Sequence, residues 1–440
     1  MLRTCLLASA SALIVCLGAS EASAQVAPSA AATPPAANPL DAITAGVPIL
    51  EIRPRYEAVD QAKTKTLTQD AQAETVRIHF GWQTGTWNNL QVLVEGSNVS
   101  LLGPERYAVN VPGAATPPLN GAAKAKYPLI NDPATTELHR AQLTWTPSPM
   151  FSTTVGRQRI VIDDQRFIGD VDWRQDQQTF DGVRGDLKLG RFSLFAAYLD
   201  RVNRILATER DFNSTSYLIN ARYDFNKNYG VEAFEYLLDF HNSAINSSQT
   251  WGLRGSGHTQ LGPLKLAYDG VYARQSAYAN APTFAGLDFY AADLSATYNV
   301  ATVRLDYEQL NGNGVRGFTT PLATTHGFQG WADAFVSPGG NKSFVDGIDD
   351  FNVSLAVKPP LKLGPFSNPA FTVRAFDFKD QRFGSDVGHE WDLSAGVMVA
   401  SKVSVLLKYA DFRRDSSVPI GAATPPPSRN KVWLMLDFKL

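Results

Sequence analysis

The chain has 440 residues, with 40 Lys+Arg against 42 Asp+Glu, a formal net charge of -2 and a pI of about 6.3. That balance leaves no basic footprint for nucleic acid, which is excluded as a partner. Beyond the N-terminal leader no segment approaches the ~20 apolar residues of a spanning helix. A membrane location would therefore require a closed barrel.

Residues 1–24 read as a secretory signal peptide: Arg3 supplies the positive start, Leu6 to Gly18 the apolar run, and Ala22-Ser23-Ala24 the small-residue cleavage site. Val15 stands where a lipidated Cys16 would want a small residue, which argues against lipidation. Both cysteines, Cys5 and Cys16, fall in the signal, so disulfides and Cys-ligated metals are excluded from the mature chain. Residues 25–47 are Ala/Pro-rich and read as a mobile periplasmic leader. They are too few for the plug domain of an energised transporter.

From Pro48 to the end the texture is period-two alternation. Val76, Ile78, Phe80 and Trp82 share one face of a segment; Trp391, Leu393, Ala395 and Val397 share another. A soluble sandwich shows the same period. Three features favour a transmembrane antiparallel β-barrel: charged residues at mid-strand on the polar face, strands of about ten residues, and connections that alternate between short and long. We read eighteen strands, with sixteen as the nearest alternative, at 49–59, 72–84, 88–99, 135–147, 151–162, 177–189, 191–200, 214–225, 229–239, 249–260, 263–274, 286–299, 301–310, 347–357, 370–379, 388–400, 402–412 and 430–440. Short turns face the periplasm; the long loops 100–134 and 311–346 face outward. The last strand alternates Val432, Leu434, Leu436, Phe438 and Leu440 to the final residue, as a terminal strand read by the barrel-assembly machinery does.

The six histidines show no metal-ligand spacing, and no nucleophile or phosphate-loop motif is present. The reading is therefore of a protein that is not an enzyme and uses no cofactor and no metal. Arginine carries the information. The 40 basic residues divide into 25 Arg and 15 Lys. Arg77, Arg140, Arg184, Arg222, Arg304 and Arg374 oppose apolar stripes and are expected to line the pore. Arg157 and Arg159 join them if a bulge at Gly156 turns both inward, since a charge at the bilayer centre costs roughly 2–4 kcal/mol. Guanidinium forks bind carboxylates, so such a set suits an acidic, hydrated solute. The same forks could instead brace the wall against lumen acids such as Glu51, Glu57, Glu95, Asp186, Asp224, Asp306 and Glu308.

Two stretches carry a family resemblance: Gly156-Arg157-Gln158-Arg159-Ile160 through Thr179-Phe180-Asp181-Gly182-Val183-Arg184, and Pro321 to Phe335, with Thr325, His326, Phe328, Gly330, Trp331 and Asp333 its most specific positions. Both resemble the alginate-export porins. The resemblance implies an eighteen-stranded monomeric barrel in outer-membrane lipid that passes polar or anionic saccharides. In the family's founding members the pore is electropositive and secretes alginate. Here acids interleave with the arginines, so polymer export, a general small-solute porin and a plugged, adhesin-like barrel all stay open.

Overall fold

The computed structural model describes residues 35–109, 117–206, 210–336, 344–400, 402–415 and 426–440. The expected signal peptide and the first part of the leader lie outside these residues. Eighteen long strands form one antiparallel ring: β1 (Val47–Gln61), β2 (Ala71–Gln83), β3 (Leu90–Leu101), β4 (Thr135–Ser148), β5 (Phe151–Gln158), β6 (Thr179–Leu189), β7 (Phe192–Asn203), β8 (Phe212–Asn226), β9 (Tyr229–Leu238), β10 (Ser248–Leu261), β11 (Leu264–Ser276), β12 (Leu287–Tyr298), β13 (Ala301–Asn311), β14 (Gly347–Val357), β15 (Phe366–Lys379), β16 (Asp386–Val399), β17 (Val403–Arg414) and β18 (Arg429–Lys439). A two-residue ladder, Lys362–Leu363, folds back within the turn before β15. Each strand pairs with the next, and β18 returns to β1 with Ile52 opposite Phe438 and Tyr56 opposite Leu434. Closure leaves no sheet edge, so backbone groups at membrane depth are satisfied within the ring.

Alternation decides which face each side chain takes. In β14, Asp350 and Asn352 are buried inside while Phe351, Val353 and Leu355 point out and are exposed. Outward aromatics form two girdles. Trp82, Trp145, Tyr223, Phe225, Tyr229 and Tyr298 lie toward the short turns; Tyr217, Trp251, Tyr290, Tyr307, Phe351 and Trp391 lie toward the long loops. Exposed Val183, Leu294, Leu305, Leu393, Leu407 and Leu434 fill the band between. A water-soluble protein does not expose a continuous apolar belt of this extent, whereas a lipid-embedded barrel requires one. The tight turns use local backbone chemistry: Asn88 and Asn89 both take positive φ, of 47° and 66°, before β3.

The strands match the sequence expectation in number and order. Within the Ala/Pro-rich leader, Pro39–Thr44 forms a short helix, α1, capped by the Asn38 side chain. Trp82 Nε1 donates to the Ile43 carbonyl at 2.9 Å, and the Gly85 amide donates to the Ala42 carbonyl at 2.8 Å. This end of the leader is thus clipped to the first short turn.

One expectation is corrected. The pairings Leu143–Val155, Gln142–Gly156 and Ala141–Arg157 run without a shift, and so do those of β5 with β6. Gly156 takes φ +108° but makes no bulge. The register shift sits on the neighbouring strand, where Glu95 pairs with Arg140 and Gly96 with Leu138, leaving His139 as the extra residue. Arg157 therefore stays on the outer face, near the long-loop rim, paired to Asp181 at 2.7 and 2.9 Å. Arg159 reaches the interior by a different route, because β5 stops at Gln158 rather than at 162 and the chain leaves the wall.

In detergent the protein should give an almost wholly β circular dichroism spectrum and a band that shifts on gels after boiling. A helix-rich spectrum, or the absence of any heat shift, would contradict the ring.

Candidate functional site

The interior of the ring is not empty. Residues 159–178, between β5 and β6, and residues 312–336, between β13 and β14, both turn inward. They meet at a bridge between Ile168 and Leu322, where the Gly169 amide donates to the Leu322 carbonyl at 2.8 Å. Thr324 adds two links: its amide donates to the Gln165 carbonyl at 3.0 Å, and its Oγ1 accepts from the Val171 amide at 3.0 Å.

The wall holds the first loop by its carbonyls as well as its acids. Arg53 Nη1 donates to the Asp172 carbonyl at 2.7 Å, and Arg55 Nη1 to the Trp173 carbonyl at 2.5 Å. Arg77 pairs with Asp172 at 2.9 Å and also with Glu51. Arg174 reaches back to Glu57 at 3.0 Å. Burial alone would raise the Asp172 carboxyl, but Arg53, Arg77 and Arg159 outweigh it and hold it well below the usual aspartate range. Its value in the folded chain lies below its unfolded one. The anchoring it contributes is therefore present above roughly pH 3.9 and lost only as pH falls through the lowered value. Tyr107 and Asp132, between β3 and β4, support the same loop: Tyr107 Oη donates to the Asp132 carbonyl at 2.8 Å, and Asp132 Oδ1 accepts from the Gln175 amide at 3.0 Å.

The second loop contains the Pro321–Phe335 motif. Thr325–Gly327 makes a single 3-10 turn that points His326 inward. The His326 ring stacks on Trp173 of the first loop, with centroids 4.0 Å apart and planes 3° from parallel. Its Nδ1 faces Asp333 at 3.1 Å, and its Nε2 lies 2.7 Å from Lys408 Nζ of β17. Lys408 is buried between the faces of Trp173 and Trp331, at 3.9 and 3.6 Å from their centroids. Asp333 also takes Lys431 of β18 at 3.0 Å. Gly330 has φ +78°, and a Cβ there would run into the Glu390 carboxylate; the next amides bind the wall acids, Trp331 N to Asp392 at 3.2 Å and Ala332 N to Glu390 at 2.7 Å. Phe328 packs under Arg166, whose fork holds Glu308 at 2.5 and 2.9 Å. The motif is thus the part of the chain that seats one inward loop on the wall and on the other loop.

The remaining arginines sort by their partners. Arg140 grips Glu95 with two bonds at 3.1 and 2.5 Å. Arg159 pairs with Asp170, Arg184 with Asp186 at 3.5 Å, Arg222 with Asp224 at 2.9 Å, and Arg304 with Asp306 at 2.6 Å and Asp293 at 3.2 Å. Arg374 differs. It donates to the Gly327 carbonyl at 3.3 Å and lies over Phe376 and Trp331, with no carboxylate at ion-pair distance among the described residues. The bracing alternative therefore accounts for most of the set, and Arg374 is the member it does not cover. Lys408, Trp173 and the inward course of residues 159–178 were not expected. The only available signal was the polar, aromatic-bearing run Asp172-Trp173-Arg174-Gln175, too hydrophilic for lipid and too rich in side-chain anchors for an open loop.

A lipid-belted ring of eighteen strands with a polar, loop-lined interior is an outer-membrane channel of the porin class. A family model described as Alginate export matches residues 50–298, more than half of the 440-residue chain, and the chain belongs to that family of outer-membrane barrels. Its fold is that of channels rather than enzymes. Among solved structures it resembles OpdK of Pseudomonas aeruginosa, solved with vanillate, at 13% identity and a TM-score of 0.66 over 90% of this chain and 99% of that one. It is similar also to OccK9 (OpdG) of the same organism, at 14% identity and a TM-score of 0.65 over 91% of this chain and 100% of that one. OccAB2 of Acinetobacter baumannii matches at 14% and 0.65, over 91% of this chain and 99% of that one. Among curated proteins no relative matches the chain.

Proposed function

We propose that the chain is a passive channel for small, hydrated solutes that bear a carboxylate, acidic sugars among them. The observation that carries this reading is the pair of inward loops joined at Ile168 and Leu322 and seated on Lys408. They narrow the lumen and leave Arg374 beside it with no carboxylate at ion-pair distance among the described residues. A small anion can exchange onto that fork as it passes; the guanidinium's spare donors match a carboxylate. That OpdK was solved with vanillate agrees in ligand class.

Family membership favours a second reading, export of a polyuronate. That would require both loops to leave the lumen together, breaking the Arg53, Arg55, Arg77 and Arg174 anchors at once. Planar-bilayer recording separates the two. At low salt we expect anion preference and a current reduced by added glucuronate monomer. Cation preference overturns the anionic reading. Block by a uronate oligomer with no response to the monomer favours the polymer.

A further inference from the structure

The β4 bulge that leaves His139 unpaired has a chemical result. It brings His139 and His79, which sit on strands separated by β3, ring against ring, with centroids 4.5 Å apart and planes 24° from parallel. Between them β3 presents Glu95. One carboxylate oxygen, Oε1, lies 3.9 Å from His79 Nδ1 and 3.6 Å from His139 Nε2. Two nitrogens and one oxygen thus lie within 4.8 Å of one another, all on buried residues. Ligands 2.0–2.2 Å from a tetrahedral ion stand about 3.3–3.5 Å apart, so small side-chain rotations bring these three onto one.

We propose that His79, Glu95 and His139 form a binding site for a borderline divalent transition ion, zinc being the natural occupant. Imidazole and carboxylate are the ligands zinc prefers where cysteine is absent. The independent support is His79 itself. Its ring is buried, and Nδ1, the nitrogen that faces Glu95 Oε1, makes no hydrogen bond among the described residues. Buried polar groups are ordinarily satisfied, and an imidazole left without a partner beside a carboxylate and a second imidazole is what an ion would satisfy. Arg140 holds Glu95 from the other side. That contact orients the carboxylate and leaves Oε1 a lone pair for the ion, in the manner of outer-shell partners elsewhere. Arg77 nearby is committed to Glu51 and Asp172.

A fourth ligand is at hand. Gln177, on the inward loop, has its Oε1 2.7 Å from His139 Nε2. An ion taking His139 Nε2 displaces that hydrogen bond and leaves the amide oxygen next to the open position. Bound zinc would then join β2, β3 and β4 to residues 159–178, adding a fastening to the loop that narrows the lumen.

The test uses the folded full-length barrel in detergent, stripped with chelator and titrated with zinc alone, with metal content measured after gel filtration. We expect one zinc per chain in the wild type. Binding should weaken at least about tenfold in His79→Gln and in His139→Gln, and be unchanged in His241→Asn at the rim. Heat-shift gels establish that each variant is folded. Cobalt supplies a measurement that needs no variant: four-coordinate binding gives intense visible bands, six-coordinate surface binding only weak ones. No stoichiometric uptake by the wild type, uptake that survives both His variants, or only weak cobalt bands overturns the site. None of these outcomes bears on solute preference, so failure here leaves the anion-channel reading to its own experiment.

Discussion

Deleting Phe438 to Leu440 is expected to leave almost no assembled barrel. These residues end β18, and β18 is the strand that closes the ring on β1: Lys439 stands opposite Glu51, Phe438 opposite Ile52, and the Leu440 amide donates to the Leu50 carbonyl at 3.0 Å. Without them the start of β1 becomes a free edge facing lipid. Each backbone group stranded there costs roughly 2–7 kcal/mol, and several are stranded together. The apolar outward face at the end of the strand, Phe438 and Leu440, is lost as well. We further propose that this strand is the one the barrel-assembly machinery engages, which adds a kinetic defect to the thermodynamic one. Surface labelling and heat-shift gels should show the truncated chain unfolded or degraded, against a Leu440→Ala variant that keeps the pairing and assembles. Normal surface levels of the truncated form would sink both the seam and the machinery proposal.

The ring itself was legible in the sequence because barrel strands obey one rule over their whole length. Every second residue of β14 or β18 meets lipid, so apolarity recurs at period two without interruption, and the turns between strands are too short to hide it. What escaped was everything that depends on register between strands rather than along one. The bulge was expected at Gly156, because strict alternation would otherwise leave Arg157 and Arg159 facing lipid, yet the extra residue is His139 on the strand beside it. A histidine followed by Arg140 on the polar side gives no single-strand sign that one of the two is out of step. His79 and His139 are sixty positions apart in the chain, so their stacking is invisible to any spacing rule.

The inward loops were illegible for a related reason. A loop that leaves the membrane and a loop that folds back into the lumen are both polar, and composition cannot tell them apart. The difference lies in what the polar groups bind. The Asp172 and Trp173 carbonyls meet Arg53 and Arg55 of a strand that precedes them by more than a hundred residues. The Pro321–Phe335 stretch was recognisable as a family feature, but its work as a seat for Lys408, Trp173 and Asp333 emerges only when three distant segments converge.

That convergence sharpens what arginine substitution should show. The eight predicted positions no longer form one group. Arg77 is wholly buried between Glu51 and Asp172, so Arg77→Gln removes one of the two arginines, the other being Arg53, that these acids share. Breaking a buried pair in this way costs about 3–5 kcal/mol, and the heat-shift midpoint should fall markedly. Arg374 makes no ion pair among the described residues. Arg374→Gln should leave the midpoint nearly unchanged and lower anion preference, because it removes a guanidinium that has no carboxylate at ion-pair distance among the described residues. One such charge about 4 Å from a passing ion in water is worth roughly 1 kcal/mol, about a fivefold change in local anion concentration. Arg304, shared between Asp293 and Asp306, should fall between the two. Arg157 sits outside the ring with Asp181, so Arg157→Gln is the control that should move selectivity not at all. Salt provides the second axis. At ~1 M the Debye length shrinks to about 3 Å, and the wild-type preference should vanish while the stability ranking persists, since buried pairs are screened far less than a solvated fork. If Arg374→Gln leaves ion preference intact and Arg157→Gln shifts it, the lumen assignment of Arg374 is wrong and the carboxylate-channel reading loses the guanidinium it rests on.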